Sequence, residues 1–337
     1  MQLNYKSIAL PFEYPFTISN GRTKTHQPSL VVSLSLGNFT GFGEAPAIVY
    51  YDVTVEKMIE DLESKRAMVE KFALTEPARY WHYLHHLFPQ NPFLVSALDM
   101  ACWDLYGKMK GQPLYTLWNT NWENTPVTDY TIGIDTIPKM LEKMKAKPWP
   151  VYKIKLGTPE DIEIMEALTT ATKAVFRVDA NAGWTIEEAL AKIPLLAKMG
   201  VEFIEQPLAK DNWEGMKILF EKSELPLYAD ESCVMESDVQ KCAGHFHGIN
   251  IKLTKCSGPT PALRMIETAR GLGLKVMMGS MNESSIGSAA IAHFLPQLDH
   301  VDMDGPLLLS EDIASGITFD NGVVTLSNKP GLGITLL

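Results

Sequence analysis

Phe203-Ile204-Glu205-Gln206-Pro207 is the stretch that decides the fold, because it is a short apolar run that ends on an acid. Two similar runs end on Asp179 and Asp230, so the three acids follow one another at spacings of 26 and 25 residues. Lys155 precedes the series by 24 residues and Lys252 follows it by 22 residues. A period near 25 residues fits one strand with its crossover helix.

Eight short β-prone runs with helical patterns between them extend this period over most of the chain. Repeated strand–helix units build a parallel sheet, either open or closed as a barrel, and eight strands are enough for closure. Because barrel strands converge at their carboxyl ends, we expect the five charged residues to share one pocket. No helix-length segment clearly follows the eighth run, which predicts a missing or replaced helix. The predicted strands are 128–134, 151–156, 175–180, 201–206, 226–230, 248–253, 274–279 and 300–304.

Residues 1–118 change pattern and predict an α+β unit with its own core. Their first part alternates between apolar and polar residues and breaks at turn residues, as antiparallel strands do, and their second part has helical periodicity. The predicted strands are 3–10, 29–36 and 38–45, and the predicted helices are 53–72, 76–88 and 91–110.

The remaining boundaries follow from turn residues. Residues 119–126 are turn-rich and separate the first unit from a barrel domain over 125–310. The tail 311–337 alternates again, and Asp320-Asn321-Gly322 is a hairpin signal. We expect the tail to return to the N-terminal unit.

Composition limits the class of protein. The chain has 337 residues, of which 46% are hydrophobic and 21% are charged, and its net charge of −10 argues against a general nucleic-acid or anionic-membrane surface. Four cysteines form no Cys-x-x-Cys pair, and we expect free thiols. No secretory signal or apolar run of about 18 residues is visible. We expect a cytoplasmic protein.

Asp179, Glu205 and Asp230 predict a metal site. They supply three carboxylates without an imidazole or thiolate, a ligand set that selects Mg²⁺ or Mn²⁺ over Zn²⁺. Three acids in one pocket repel one another strongly unless a cation lies between them. An octahedral ion held by them keeps about three positions for substrate oxygens and water.

Three lysines predict proton transfer. Lys153 and Lys155 share one face of a strand, and Lys252 arrives from across the barrel, so a substrate carboxylate at the metal has one lysine on each side of its Cα. A lysine must lose roughly 3 pKa units to act as a base near neutral pH, and we expect the neighbouring ammonium group, the divalent cation and burial to supply this shift. Removal of the α-proton, stabilisation of an enediolate and reprotonation from the opposite face give racemisation or epimerisation.

Further polar residues end the last two strands. Asp302 and Asp304 alternate onto one face, and since the metal ligands are already provided, we expect them to bind a cationic part of the substrate, such as a free α-ammonium group. Ser280 and Glu283, at the end of the seventh strand, are further candidates for lining the pocket.

These motifs together resemble the enolase superfamily, specifically its muconate-lactonizing-enzyme subgroup. The resemblance implies a modified (β/α)7β barrel, a TIM-barrel variant of α/β class, under an N-terminal capping domain completed by the C-terminal tail. It implies that Lys155 and Lys252 are the acid/base pair, that Lys153 assists, and that the three acids hold one Mg²⁺ per subunit, with Mn²⁺ as a possible substitute. The matching elements are Gly41-Phe42-Gly43-Glu44-Ala45, Ala97-Leu98-Asp99, the three lysines, the three acids and Gly331-Leu332-Gly333.

Asp302-Met303-Asp304 resembles the Asp-x-Asp element of the dipeptide epimerases, in which it binds the ammonium group of a dipeptide substrate. The activity implied is L-Ala-D/L-Glu epimerisation in murein peptide (peptidoglycan) recycling. The polar loop 17–26 resembles the specificity loop of that family, and Arg22 or Lys24 could pair there with a glutamyl carboxylate. We also expect a homo-oligomer, with no nucleic-acid or membrane partner.

Several alternatives stay open at this point. The same machinery serves o-succinylbenzoate synthase, N-succinylamino acid racemase, muconate cycloisomerase and epimerases for hydrophobic or cationic dipeptides. Substrates without an ammonium group would be repelled by Asp302 and Asp304. A Schiff-base aldolase would need one lysine but no acid triad. A non-catalytic barrel would need neither the lysines nor the acid triad.

Overall fold

A computed structural model describes residues 1–17 and 23–337 of the chain. No helix in these two ranges combines the length and apolar character that a bilayer crossing requires.

A three-stranded antiparallel sheet and four helices form the N-terminal part. Thr54 caps the first helix and Asn91 the third, each accepting a backbone N–H, and Gly111 ends the third at a positive φ of 68°. The elements are β1 (Gln2–Thr17), β2 (Thr23–Leu36), β3 (Phe39–Pro46), α1 (Val55–Lys71), α2 (Pro77–Leu87), α3 (Pro92–Lys110) and α4 (Leu114–Leu117).

Strand β3 packs directly on helix α3. A Cβ atom at Gly41 would lie 2.1 Å from the main-chain oxygen of Ala101, and one at Gly43 would lie 2.0 Å from that of Ala97. Two glycines therefore permit an approach that no side chain would. The three predicted strands and three predicted helices of this part are confirmed.

Eight parallel strands follow in sequential order, as predicted. They are β4 (Tyr130–Ile132), β5 (Val151–Lys155), β6 (Val175–Asp179), β7 (Val201–Glu205), β8 (Leu227–Ala229), β9 (Gly248–Ile251), β10 (Lys275–Gly279) and β11 (His300–Asp302). The helices that connect them are α5 (Ile137–Ala146), α6 (Asp161–Ala171), α7 (Ile186–Lys198), α8 (Trp213–Lys222), α9 (Glu236–Cys242), α10 (Leu253–Cys256), α11 (Pro259–Gly271) and α12 (Ser285–Ala292).

Residues beside the first and last strands bring the sheet's edges together. Thr128 forms a parallel bridge with Val301, and its Oγ1 accepts a hydrogen bond from the backbone N–H of Met303 at 3.0 Å. Only a four-residue helix, α13 (Gly305–Leu308), follows β11. The prediction of a (β/α)7β barrel without a full eighth helix is confirmed.

The tail returns to α3, where Asp104 joins three distant segments. Its carboxylate accepts hydrogen bonds from the backbone N–H groups of Phe42 and Leu332, both at 2.8 Å, and from Lys108 Nζ at 2.7 Å. The predicted hairpin is present. The tail strands are β12 (Ala314–Ser315), β13 (Ile317–Asp320), β14 (Val323–Leu326) and β15 (Thr335–Leu336). The domain boundaries at 118, 125 and 310 stay predictions.

The predicted loop 17–26 needs a correction. Strand β1 runs to Thr17 and β2 begins at Thr23, because the two strands pair again beyond a register shift, with Lys24 opposite Phe16. Lys24 is therefore a strand residue, and its Nζ donates to Gln27 Oε1 at 3.3 Å. Arg22 lies outside the described residues.

His293, at the end of α12, makes folding depend on pH. Burial lowers its pKa from 6.5 to about 3, and its Nδ1 accepts the backbone N–H of Tyr115 at 3.4 Å, which requires the neutral ring. The unfolded chain thus binds a proton that the folded chain does not, so stability falls as pH drops below about 6.5.

Between pH 6.5 and 5 we expect His293 to lower the free energy of unfolding by roughly 2 kcal/mol. Urea unfolding of wild type and His293→Gln should show a shallower pH slope in the variant, and equal slopes would contradict this.

Candidate active site

Three acids meet at the carboxyl ends of neighbouring barrel strands. Asp179 ends β6, Glu205 ends β7 and Asp230 directly follows β8. Parallel pairing puts Asp179 opposite Glu205 and Lys155 opposite Asp179. All three acids are buried, and one oxygen from each lies within 4.8 Å of the others. The sequence period therefore corresponds to one site.

Lys153 and Lys155 approach this site from β5, on the face predicted for them. Lys155 Nζ lies 2.6 Å from Asp179 Oδ2. Lys153 Nζ lies 2.8 Å from Glu205 Oε2 and 3.1 Å from Asp179 Oδ2, and it is almost completely buried. The two ammonium groups therefore neutralise part of the charge of the acids.

Lys252 reaches the opposite flank of the acids. Its Nζ lies 2.8 Å from Asp230 Oδ2, and its side chain is 8% exposed. Lys155 and Lys252 thus contact the two outer acids, with Glu205 between them. The central Glu205, which pairs with Lys153 through Oε2, accepts from Asn250 Nδ2 through Oε1 at 2.8 Å.

Gln206 fixes the loop ends beneath the site. Its backbone has a positive φ of 37°, and its side-chain Oε1 accepts the N–H groups of Asp230 at 3.0 Å and Ser232 at 3.1 Å. Its Nε2 donates to Ser232 Oγ at 2.9 Å. The residue after one acid therefore determines where the next acid lies.

The pKa values of the acids reflect burial and neighbouring charge. Burial and the charge of Asp179 raise the pKa of Glu205 to about 7. Burial also opposes ionisation of the outer acids, but lysines outweigh it: Lys155 and Lys153 lower the pKa of Asp179 to about 2, and Lys252 and Lys255 hold that of Asp230 well below its usual value.

At Lys252 and Lys153 the neighbouring acids act on the pKa in the direction opposite to burial. Burial acts most strongly to lower the pKa of Lys252, but the carboxylates of Asp230, Glu205 and Glu231 together raise it by more. Burial is likewise outweighed at Lys153, whose pKa is raised by Asp302, Glu205 and Asp179. The nearest charges to each lysine are carboxylates rather than other cations, and the fall in lysine pKa, which was expected beside a divalent cation, stays a prediction.

Asp302 and Asp304 lie next to the lysines, but they have different partners. Asp302 Oδ2 accepts from Lys153 Nζ at 2.7 Å, and this contact outweighs burial and lowers its pKa. Asp304 Oδ2 accepts the backbone N–H of Thr131 at 2.6 Å, and burial and the charge of Asp302 raise its pKa to about 7. Of the two acids, Asp302 belongs to β11 and Asp304 lies after it, because the strand ends at residue 302 and not at residue 304 as predicted.

Ser280 and Glu283 follow β10 as predicted. The Ser280 N–H donates to the main-chain oxygen of Asp302 at 2.8 Å. Glu283 accepts the N–H of Met281 at 2.6 Å, and burial and the charge of Glu44 raise its pKa to about 7. Glu44 itself accepts from the N–H and Oγ of Ser284, so β3 is joined to the start of α12.

Sequence reasoning missed several charged or polar residues here. Lys255 lies three residues after Lys252 in a helical turn, and a second lysine there carries no spacing signal of its own. Arg177 Nη1 lies 2.9 Å from Asp129 Oδ2 inside the barrel. Both belong to strand runs whose alternation could have indicated an inward side chain, Arg177 two residues before Asp179 and Asp129 two before Thr131.

Comparison with known proteins identifies the family. Residues 137–337 match the family described as enolase C-terminal domain-like. The chain is 52% identical over its full length to all of the L-Ala-D/L-amino acid epimerase of Flavobacterium johnsoniae. This protein belongs to the enolase superfamily.

Solved structures of other superfamily members have the same fold. The substrate-liganded L-Ala-D/L-Glu epimerase of Bacillus subtilis superposes with a TM-score of 0.93 at 29% identity, covering 99% of this chain and 98% of that one. A dipeptide epimerase of Enterococcus faecalis V583, complexed with Mg and L-Leu-L-Tyr, superposes with a TM-score of 0.90 at 28% identity, covering 99% of both chains. The predicted superfamily and fold are confirmed.

Gly279 ends β10, and because it has no side chain, the side chains of Asn250 and Lys252 can pack against its backbone. A Cβ atom there would lie 2.7 Å from Asn250 Oδ1 and 3.0 Å from Lys252 Cε. We expect Gly279→Ala to lower the free energy of unfolding by about 1–3 kcal/mol through overpacking. Gly271→Ala is the matched control, since its Cβ would meet no atom within 4 Å. Chemical denaturation of both variants measures the difference, and equal stabilities would refute the close fit.

Proposed function

We propose that this protein is a Mg²⁺-dependent dipeptide epimerase that inverts the Cα of the C-terminal residue by two-base proton transfer. The observation that carries the proposal is the position of Lys155 and Lys252 on opposite flanks of a buried acid triad. The relatives described above, which are named epimerases, support it.

The donor set and the charge of the site fit a divalent cation. Three buried carboxylates offer hard oxygen atoms within 4.8 Å of one another. Six acids and four lysines lie in and around this triad, and a divalent cation would reduce the repulsion among the carboxylates. They are Asp179, Glu205, Asp230, Glu231, Asp302, Asp304, Lys153, Lys155, Lys252 and Lys255.

Asp179, Glu205 and Asp230 would hold the ion. When bound, Mg²⁺ would offset the charge of these acids, lower the pKa of the neighbouring lysines and stabilise negative charge that develops on the substrate carboxylate. Mn²⁺ suits the same ligands.

The two flanking lysines perform the proton transfers. One lysine in its neutral form removes the Cα proton from its face, and the other, as an ammonium group, delivers a proton to the opposite face. Lys155 and Lys252 exchange these roles between the two epimers. Lys153, buried among three acids, keeps its charge and assists by neutralising them.

The two acids at the end of β11 suit a substrate with a free ammonium group. Asp302 already pairs with Lys153, whereas Asp304, the other of the two, has no cation within ion-pair distance among the described residues. An α-ammonium group would supply that cation and favours a dipeptide over a succinylated substrate. L-Ala-D/L-Glu is our first candidate, with Ser280 and Glu283 near the same end of the barrel and Arg22 or Lys24 as candidate partners of the glutamyl carboxylate.

Proton NMR in D₂O with Mg²⁺ tests this function. We expect a panel led by L-Ala-L-Glu, with hydrophobic and cationic second residues included, to lose the α-proton signal of the second residue while the diastereomer appears. Exchange or dehydration of succinylated substrates alone would move the protein to the o-succinylbenzoate synthase or N-succinylamino acid racemase branch.

Lysine variants test the two bases in the same assay. We expect Lys155→Ala and Lys252→Ala each to abolish epimerisation, about 10²–10⁴-fold or more, because each removes the proton carrier of one face. Each variant should still exchange the α-proton of one epimer, and the two variants should differ in which one. Normal epimerisation by both variants would rule out the assignment.

Asp304→Asn tests the ammonium site. Loss of its charge should raise the KM for dipeptides at least several-fold, since a charged hydrogen bond is replaced by a weaker neutral one. Mg²⁺ affinity, measured by calorimetry, should stay close to that of wild type. Asp135→Asn, at a partly exposed acid two residues before α5, is the matched control. An unchanged KM would place the ammonium group elsewhere.

Cytoplasmic location, a homo-oligomeric state and a role in peptidoglycan recycling stay predictions, as does the absence of nucleic-acid partners.

A further inference from the structure

Lys255 is a completely buried lysine that contacts the same acid as Lys252. Its Nζ lies 2.5 Å from Asp230 Oδ1 and donates to the main-chain oxygens of Asp230 at 2.6 Å and Cys233 at 3.0 Å. The main-chain oxygen of Asn250 is a fourth acceptor at 3.4 Å. Helix α10 begins directly after Lys252 and carries Lys255, whose ammonium group reaches the main chain of the loop that follows β8.

The contacts of Lys255 exclude it from proton transfer. An ammonium group has three N–H donors and no acceptor, and four oxygens within 3.4 Å engage all three donors. Lys252 differs because 8% of its side chain is exposed, against none of that of Lys255, and its ion pair is with the other carboxylate oxygen, Asp230 Oδ2. Each carboxylate oxygen of Asp230 thus has its own lysine, Lys255 at Oδ1 and Lys252 at Oδ2.

Asp230 has a greater need for such an anchor than the other two acids. Asp179 and Glu205 are strand residues, held by the barrel's own hydrogen bonds, whereas β8 ends one residue before Asp230. Asp230 is also followed by the half-buried Glu231, and the two carboxylates repel each other when both are ionised. A cation on the far side of the carboxylate offsets that repulsion and fixes its rotamer.

We propose that Lys255 is the positioning residue of Asp230: it binds Oδ1 to the loop main chain, so that Oδ2 faces the divalent cation and Lys252. This inference rests on the proposed function, because the cation is part of that proposal. Residues that orient a ligand in this way commonly contribute 10–100-fold to metal affinity.

Metal affinity without substrate tests the role directly. Mn²⁺ alone is titrated into wild type, Lys255→Met, Lys255→Arg and the matched control Lys252→Met, with free Mn²⁺ followed by electron paramagnetic resonance. We expect Lys255→Met to bind Mn²⁺ about 10–100-fold more weakly, Lys255→Arg to lie between it and wild type because the charge is kept, and Lys252→Met to bind at least as tightly as wild type. Thermal unfolding without metal shows which variants fold.

Exchange of the dipeptide α-proton as a function of Mg²⁺ concentration separates positioning from chemistry. Lys255→Met should recover most of its exchange rate at high Mg²⁺, whereas Lys252→Met should not recover epimerisation at any concentration. Unchanged Mn²⁺ affinity in Lys255→Met, or a rate that stays low at saturating metal with normal affinity, would overturn the proposal. If Lys255→Met does not fold, the same two criteria apply to Lys255→Arg.

The outcomes also separate this inference from the proposed function. A weakened Mn²⁺ site in Lys255→Met, together with a wild type that exchanges no dipeptide, would refute the dipeptide substrate and leave the positioning role intact. A wild type that binds no Mn²⁺ would overturn both.

Discussion

Mutual repulsion of buried carboxylates is the constraint on which the rest of this structure depends. Asp179, Glu205 and Asp230 meet in the barrel mouth with their oxygens within 4.8 Å. Such a group is stable only if cations and hydrogen-bond donors surround it. Lysines from β5 and from the segment after β9 supply that charge, so the residues proposed to transfer protons also make the acid site tolerable when the metal is absent.

The parts of the fold and of the candidate site that could be predicted are those whose residues recur at a regular spacing in the sequence. The barrel and its acids could be predicted, because one residue per strand–helix unit repeats at about 25 positions. The absence of a full eighth helix could be predicted because no helix-length segment follows the eighth strand in the sequence. Lys255 and Asn250 could not be assigned, since their positions depend on a short helix and on a partner across the barrel. The fall in lysine pKa was expected beside a divalent cation and stays a prediction, because spacing shows which charges converge but not which lie nearest.

The N-terminal part was predicted well for a different reason. Its strands alternate and its helices are amphipathic, so local pattern and tertiary packing agree. The exception is the segment before and after residues 18–22, where polar residues suggested a loop. There the strands β1 and β2 continue to Thr17 and from Thr23, since pairing between two long strands and the β-propensity of threonine outweigh the polar character of the segment.

Asp104 has a consequence for the order in which the chain can be assembled. Its carboxylate accepts the N–H of Leu332, which the ribosome adds 228 residues later. Proteins synthesised from the N-terminus tend to fold their first units first. Here the first unit emerges with a buried acid that still lacks one donor and must wait for the whole barrel to be translated. The C-terminal tail therefore covers a part of helix α3 that has already been synthesised. In a nascent chain that stops before residue 332, this part of α3 remains exposed.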